Sequence, residues 1–151
     1  MYYVDVNNYD HCPTEGALGL LSVLVKTGRS VEAQLDTALA SAGLTFAKWR
    51  TLETLAKAKA PVTLGMLAEH LSCVKSNITQ LIDNLESEGL VLRAAANDDR
   101  RSIVVELTNA GTTLHASGRK ALESATRSLL KSSSEEERGT LRRLLGLLSR
   151  T

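Results

Sequence analysis

Apolar residues in this chain recur with a helical period over most of its length and alternate like a strand in one short stretch. Leu18, Leu21, Val25, Gly28, Glu32, Leu35, Leu39 and Ala42 fall at heptad-like spacing, and Leu20, Leu24 and Val31 widen the stripe. This predicts a first helix of about seven turns, with Gly28, Arg29 and Ser30 as a candidate break and Gly43 as its C′ stop. Residues 1–13 lack such a period and read as an arm; Thr14, after Pro13, is placed to cap the helix. Thr45 caps a second helix whose inner face is Phe46, Trp49, Leu52, Leu55 and Ala56, and Pro61 ends it. Val62 and Thr63 form a short extended piece.

The stretch 63–108 changes period twice. Thr63 caps a short helix with Leu64, Leu67, Ala68 and Leu71 inward. Ser72 and Cys73 make a turn, and a helix over 74–88 follows with Val74, Ile78, Leu81, Ile82 and Leu85 inward. Gly89 stops it. Leu90, Val91 and Leu92 begin a strand whose partner is Ile103, Val104, Val105 and Leu107; between them, Asn97, Asp98 and Asp99 supply turn chemistry and Arg100 and Arg101 project cations. Helix, turn, helix and hairpin in this order suit one helix to a DNA major groove and a charged hairpin to the neighbouring backbone. The outer face of 74–88 fits that use. It presents Lys75, Ser76, Asn77, Thr79 and Gln80 in its first turns, with Asp83 further along, and such side chains hydrogen-bond base edges and phosphates. A merely solvated helix face is polar in the same way, and a hairpin tip with Asp–Arg pairs is also an ordinary turn.

Thr108 caps a fifth helix with Ala110, Leu114, Ala121, Leu122, Ala125, Leu129 and Leu130 on its apolar side, and small residues at Ala116, Ser117 and Gly118 admit a neighbouring helix. Ser134 and Glu137 form a capping box, after which Leu141, Leu144, Leu145 and Leu148 make a narrow leucine stripe. The first helix, the last helix and part of the fifth are therefore expected to form a homodimer interface.

Composition narrows the function. Hydrophobic residues make up 43% of the 151, enough for a real core. Two prolines and few aromatics leave Leu, Val and Ala to pack a mainly α (α+β) fold. Net charge is +1 overall, divided as −3 over 1–44, zero over 45–108 and +4 over 109–151, so DNA-binding charge must be local. No apolar run spans a membrane and no signal peptide opens the chain, which places it in the cytoplasm. Cys12 and Cys73 lack CxxC spacing, the three histidines form no ligand motif, and no metal or cofactor is expected. No phosphate loop or nucleophile elbow suggests an enzyme.

The segment LAEHLSCVKSNITQLIDNLESEGLV (67–91), followed by Arg93, DDRR (98–101) and LTNAG (107–111), resembles the MarR family of transcriptional regulators. The resemblance implies a winged helix-turn-helix lobe over 45–108 and dimerisation parts at 1–44 and 109–151, in one structural domain overall. It implies a homodimer on the double-stranded DNA of a pseudo-palindromic operator, usually as a repressor released by a small, often aromatic, effector. By position, Lys75, Ser76, Asn77, Thr79 and Gln80 lie in the recognition helix, Arg93 beside it, Arg100 and Arg101 in the wing, and Asp99 bracing the wing. Asn77 and Gln80 depart from the commoner Thr and Arg, and favour an A·T-rich half-site. The resemblance places an effector crevice near Phe46 and Trp49, whose plainer use is core packing. Cys12 is a candidate redox sensor, although His11 and Pro13 do not reproduce the peroxide-sensing motif. A winged-helix module that binds protein instead of DNA is the other alternative.

Overall fold

The computed structural model describes residues 16–58, 60–71, 75–95 and 103–148, with Lys75 described by its backbone alone. Helix α1 (Gly16–Ala40) runs unbroken through Gly28. Its C′ glycine, Gly43, takes a left-handed φ of 69°, which lets Leu44 turn back to donate to the Leu39 carbonyl. Helix α2 (Phe46–Lys57) begins at once: the Thr45 hydroxyl accepts from the Lys48 N–H, and Asp36 of α1 accepts from the Phe46 N–H at 2.6 Å. The expected inner face holds for Leu52 and Leu55, but Ala56 is exposed and Thr51 is fully buried in its stead. A hydroxyl is tolerated there because it donates to the Ala47 carbonyl at 3.0 Å.

Strand β1 (Val62–Thr63) leads into α3 (Leu64–His70), capped by the Thr63 hydroxyl as its sequence suggests. Helix α4 (Lys75–Ser87) and strands β2 (Val91–Ala95) and β3 (Ile103–Leu107) complete the lobe. The sheet is antiparallel in the order β1-β3-β2, with Val62 opposite Val105 and Arg93 also opposite Val105 on the other side. Helix α5 (Asn109–Leu129) returns beside α1 and α2, and α6 (Glu135–Leu148) closes the chain. The α6 capping box forms reciprocally: Ser134 N–H donates to Glu137 Oε2 at 2.7 Å and Glu137 N–H to the Ser134 hydroxyl at 3.2 Å.

One core joins these elements. Leu39, Leu52, Leu67, Ile82 and Leu85 are wholly excluded from solvent and are joined by Leu122 of α5. Two of the four buried residues of α5 are glycines. Ala110, expected inward, is exposed, while Gly111, His115, Gly118 and Leu122 are buried. The LTNAG stretch is the joint between α5 and the lobe. Thr108 donates its N–H to the Leu90 carbonyl at 3.1 Å and its hydroxyl to the Gly89 carbonyl at 2.7 Å, while that hydroxyl also accepts from Gly111 N–H. A Cβ at Gly111 would sit 2.0 Å from the Leu90 carbonyl oxygen, so only glycine allows this approach.

The ends of the molecule are different. On α1, Leu18 is 70% and Leu20 66% exposed, with Val23 and Val25 also open; on α6, Leu141, Leu144, Leu145, Leu147 and Leu148 are all exposed. Among the described residues, no helix is long and apolar enough to cross a membrane.

Two glycine substitutions separate packing from propensity. Gly111→Ala should destabilise the protein by about 1–3 kcal/mol or more, because rigid backbone blocks the added methyl. Gly65→Ala, which meets nothing closer than 3.8 Å, should instead stabilise by roughly 0.5–1 kcal/mol. Thermal or urea denaturation of the two variants beside the wild type measures both.

Candidate nucleic-acid interface and the cleft behind it

Helix α4 is sorted cleanly by its period. Ile78, Ile82 and Leu85 point into the core at 1% exposure or less, and Leu81 is half-buried. Ser76, Asn77, Thr79, Gln80 and Asp83 are all exposed on the other side. Burial of three large aliphatic side chains fixes the rotation of the helix about its axis, and thus which residues face outward. Lys75 opens the helix, with the partial positive charge of its N-terminus beside it.

Ion pairs fix the other end. Arg93 on β2 reaches back to α4, where its guanidinium donates to Glu86 and, at 2.5 Å, to Asp83 Oδ1; its backbone N–H also donates to Glu86 at 3.2 Å. Hydrogen bonds from the guanidinium to Asp83, and then to Glu86, hold the Arg93 pKa above its ordinary value despite partial burial. Lys48 of α2 pairs with Glu88 just past the end of α4. Arg93 is thus committed to two carboxylates of the helix that it was expected to accompany onto DNA. Asp99, Arg100 and Arg101, the turn residues Asn97 and Asp98, and both Cys12 and Cys73 lie outside the described residues.

Phe46 and Trp49 line an open cleft of about 640 Å³ together with Leu35 of α1, Glu53 of α2, Arg119 and Arg127 of α5, and Arg138 of α6. The two rings stack with centroids 6.3 Å apart, and the Arg50 guanidinium lies 6.0 Å from the Phe46 ring centre. Trp49 stacks in turn on His115 at 5.8 Å and donates its indole N–H to the His115 carbonyl at 3.2 Å. Gly118 makes room for it: a Cβ there would lie 2.5 Å from the Trp49 ring.

At the edge of this stack, Glu53 gathers three donors. Lys57 Nζ and His115 Nε2 each approach at 2.5 Å, and Arg119 donates to both carboxylate oxygens at 3.0 and 2.8 Å. The ionised carboxylate can only accept, so His115 donates to it from Nε2. Burial pushes the Glu53 carboxyl up, but the hydrogen bonds from Lys57, His115 and Arg119 and the charge of Arg119 outweigh it and bring the pKa down from 4.5 to about 2. No sequence signal marks this cluster, since Glu53 lies 62 residues from His115 and 66 from Arg119. Among the described residues, no group of three or more His, Cys, Asp and Glu is placed to hold a metal ion.

The sign of the resulting pH dependence is fixed. A carboxyl whose pKa is depressed by folding stabilises the protein above its unfolded value and loses that contribution as pH falls through the folded one. Wild type should therefore lose stability relative to Glu53→Gln between about pH 4.5 and pH 2. Denaturation midpoints of the two proteins across that range should converge as pH falls; a constant difference would mean that the cluster does not hold Glu53 ionised.

Comparison with known proteins agrees with this geometry. The sequence profile of the MarR family matches residues 44–103. The transcriptional regulator PecS of Dickeya dadantii is 28% identical over 129 residues, covering 84% of this chain and 78% of that protein. A MarR variant from E. coli, solved in complex with operator DNA, superposes with a TM-score of 0.80 at 25% identity over 85% of this chain and 92% of that one. The regulator BldR from Sulfolobus solfataricus superposes with a TM-score of 0.77 at 27% identity, covering 89% and 95%. With its helix-turn-helix, its short antiparallel sheet and its flanking helices in the same arrangement, the chain has the fold of the MarR family of DNA-binding transcriptional regulators and matches that family over residues 44–103.

Proposed function

We propose that this protein is a homodimeric cytoplasmic repressor that sets α4 of each subunit into successive major grooves of a pseudo-palindromic operator and is released by a small aromatic effector. The observation that carries the reading is α4 itself, whose Ser76, Asn77, Thr79 and Gln80 face outward because Ile78, Ile82 and Leu85 face inward. Ser76, Asn77, Thr79 and Gln80 read base edges, and Lys75 serves the phosphate at the helix N-terminus. Asn77 and Gln80 each suit adenine, favouring A·T-rich half-sites. Arg100 and Arg101 grip the backbone or the minor groove beside it, and Asp99 braces them. Arg93 acts differently: already neutralised by Asp83 and Glu86, it holds α4 against the sheet and contributes little to the attraction for phosphate.

The exposed leucines of α1 and α6 supply the dimer interface, within segments 1–44 and 109–151. Rows of exposed large apolar side chains of this kind favour an association site. The cleft beside Phe46 and Trp49 lies between these helices and the DNA-binding lobe and has the size of a small-molecule site.

Binding to the DNA upstream of its own gene should weaken steeply with salt. Replacing both Arg100 and Arg101 by Ala should lower affinity and reduce the salt slope by roughly 0.9 for each phosphate that is no longer neutralised. Arg93→Ala should weaken binding while leaving that slope almost unchanged. Fluorescence anisotropy titrations at several salt concentrations distinguish the two; an unchanged slope in the double variant would remove the wing from the interface. Leu144→Glu, at a position already 46% exposed in the subunit, should leave helix content intact and convert the dimer to a monomer. Light scattering reads the mass, and a stable dimer from this variant would place the interface elsewhere.

A further inference from the structure

Helix α4 is tied at its C-terminal end in two directions. Arg93 binds it to β2 through Asp83 and Glu86, and Lys48 of α2 pairs with Glu88, one residue past the last residue of the helix. The first tie stays between α4 and the strand that follows it. The second leads away, because the first turn of α2 is itself fastened to α1: Asp36 accepts from the Phe46 N–H at 2.6 Å, and the Thr45 hydroxyl accepts from the Lys48 N–H at 3.3 Å. A short path therefore runs from α1 through Asp36, the start of α2, Lys48 and Glu88 to the end of α4.

Glu88 moves with the helix. Its N–H donates to the Asn84 carbonyl at 3.1 Å, and the Leu90 N–H closes back on the Leu85 carbonyl at 2.9 Å around Gly89, whose φ is 70°. The Thr108 hydroxyl holds the Gly89 carbonyl at 2.7 Å, so α5 supports the same point and Lys48 gives it a second support on α2. The Lys48 side chain is only 18% exposed, so its aliphatic stem lies against the protein while its ammonium meets Glu88. Glu88 is 42% exposed, and a pair this open to water adds little to stability. What it fixes is geometry. The buried side chains of α4 set the rotation of the helix about its axis, and supports at its end set the tilt of that axis.

Resting on the homodimeric DNA-binding reading above, we propose that Lys48 and Glu88 are positioning residues for operator recognition: the pair holds the axis of α4 relative to α1 and so sets the half-site spacing that the dimer accepts. In a two-fold dimer a tilt of α4 in one subunit is repeated in the other, so a small displacement becomes a change in the separation of the two reading helices. Lys48 acts without touching DNA, since its charge is neutralised by Glu88.

The test compares two probes by anisotropy: the protected site in the DNA upstream of the gene, and the same site with one base pair inserted at its centre. The insertion moves the half-sites by about 3.4 Å along the DNA axis and about 34° around it. The wild type should bind the lengthened site at least about tenfold more weakly. Lys48→Met, which keeps the stem, and Glu88→Gln should each cut that ratio to about threefold or less, with the salt slope on the native site unchanged. The double variant should show no further fall, because both substitutions remove one interaction. Loss of folded protein lowers binding to both probes alike, so the ratio reads position and not stability. A wild-type ratio in either folded single variant, effects that add in the double variant, or a reduced salt slope in Lys48→Met would each overturn the proposal. A wild type that binds both probes equally would overturn it and leave DNA binding standing, whereas a wild type that binds neither would remove both.

Discussion

The burial of Ile78, Ile82 and Leu85 decides what the rest of the molecule can do. A helix of 13 residues is marginal by itself in water and takes both its stability and its orientation from what it packs on. These three side chains belong to the same core as Leu39, Leu52 and Leu67. Turning α4 by a third of a revolution would expose them and bury amide and hydroxyl groups in their stead, at a cost of several kcal/mol. The outward set of Ser76, Asn77, Thr79 and Gln80 is therefore a consequence of the core. The pairs from Arg93 and Lys48 then fix the far end against β2 and α2.

Behind the lobe, close approach replaces aliphatic packing. Gly111 lets α5 begin against the Leu90 carbonyl, and Gly118 lets Trp49 lie flat against α5. These contacts put His115 under the indole and within reach of Glu53, so the polar cluster and the aromatic wall of the cleft arise from the same spacing of glycines along one helix. The joint between α2 and α5 is thus made of a ring stack, one indole hydrogen bond and an ion cluster. That is a more adjustable contact than the aliphatic packing of Ile78, Ile82 and Leu85 under α4.

Much of the local architecture is legible in the sequence because it is set by local chemistry. Thr45, Thr63 and Thr108 cap the helices that they precede, Ser134 and Glu137 form their box, and Gly43 and Gly89 take the left-handed conformations their positions demand. Periodicity also finds Ile78, Ile82 and Leu85. It misplaces Ala56 and Ala110, which are exposed, because alanine carries little preference of its own and the buried neighbours, Thr51 and Gly111, are chosen by a satisfied hydroxyl and by backbone proximity. The resemblance puts Arg93 beside the recognition helix, but nothing local in the sequence shows that Asp83 and Glu86 face it across the turn. The Glu53 cluster is invisible for the same reason: its members meet through the packing of α2 on α5, and their spacing along the chain carries no period.

The central claim is that the outward face of α4 enters the major groove, and guanine methylation interference tests it most directly, because N7 methylation blocks that groove alone. With the upstream DNA of the gene as probe, the account predicts two clusters of interfering guanines or their flanking base pairs, centred about one helical turn apart or a multiple of it. Tight, salt-sensitive binding with no major-groove interference anywhere in the protected region would contradict it.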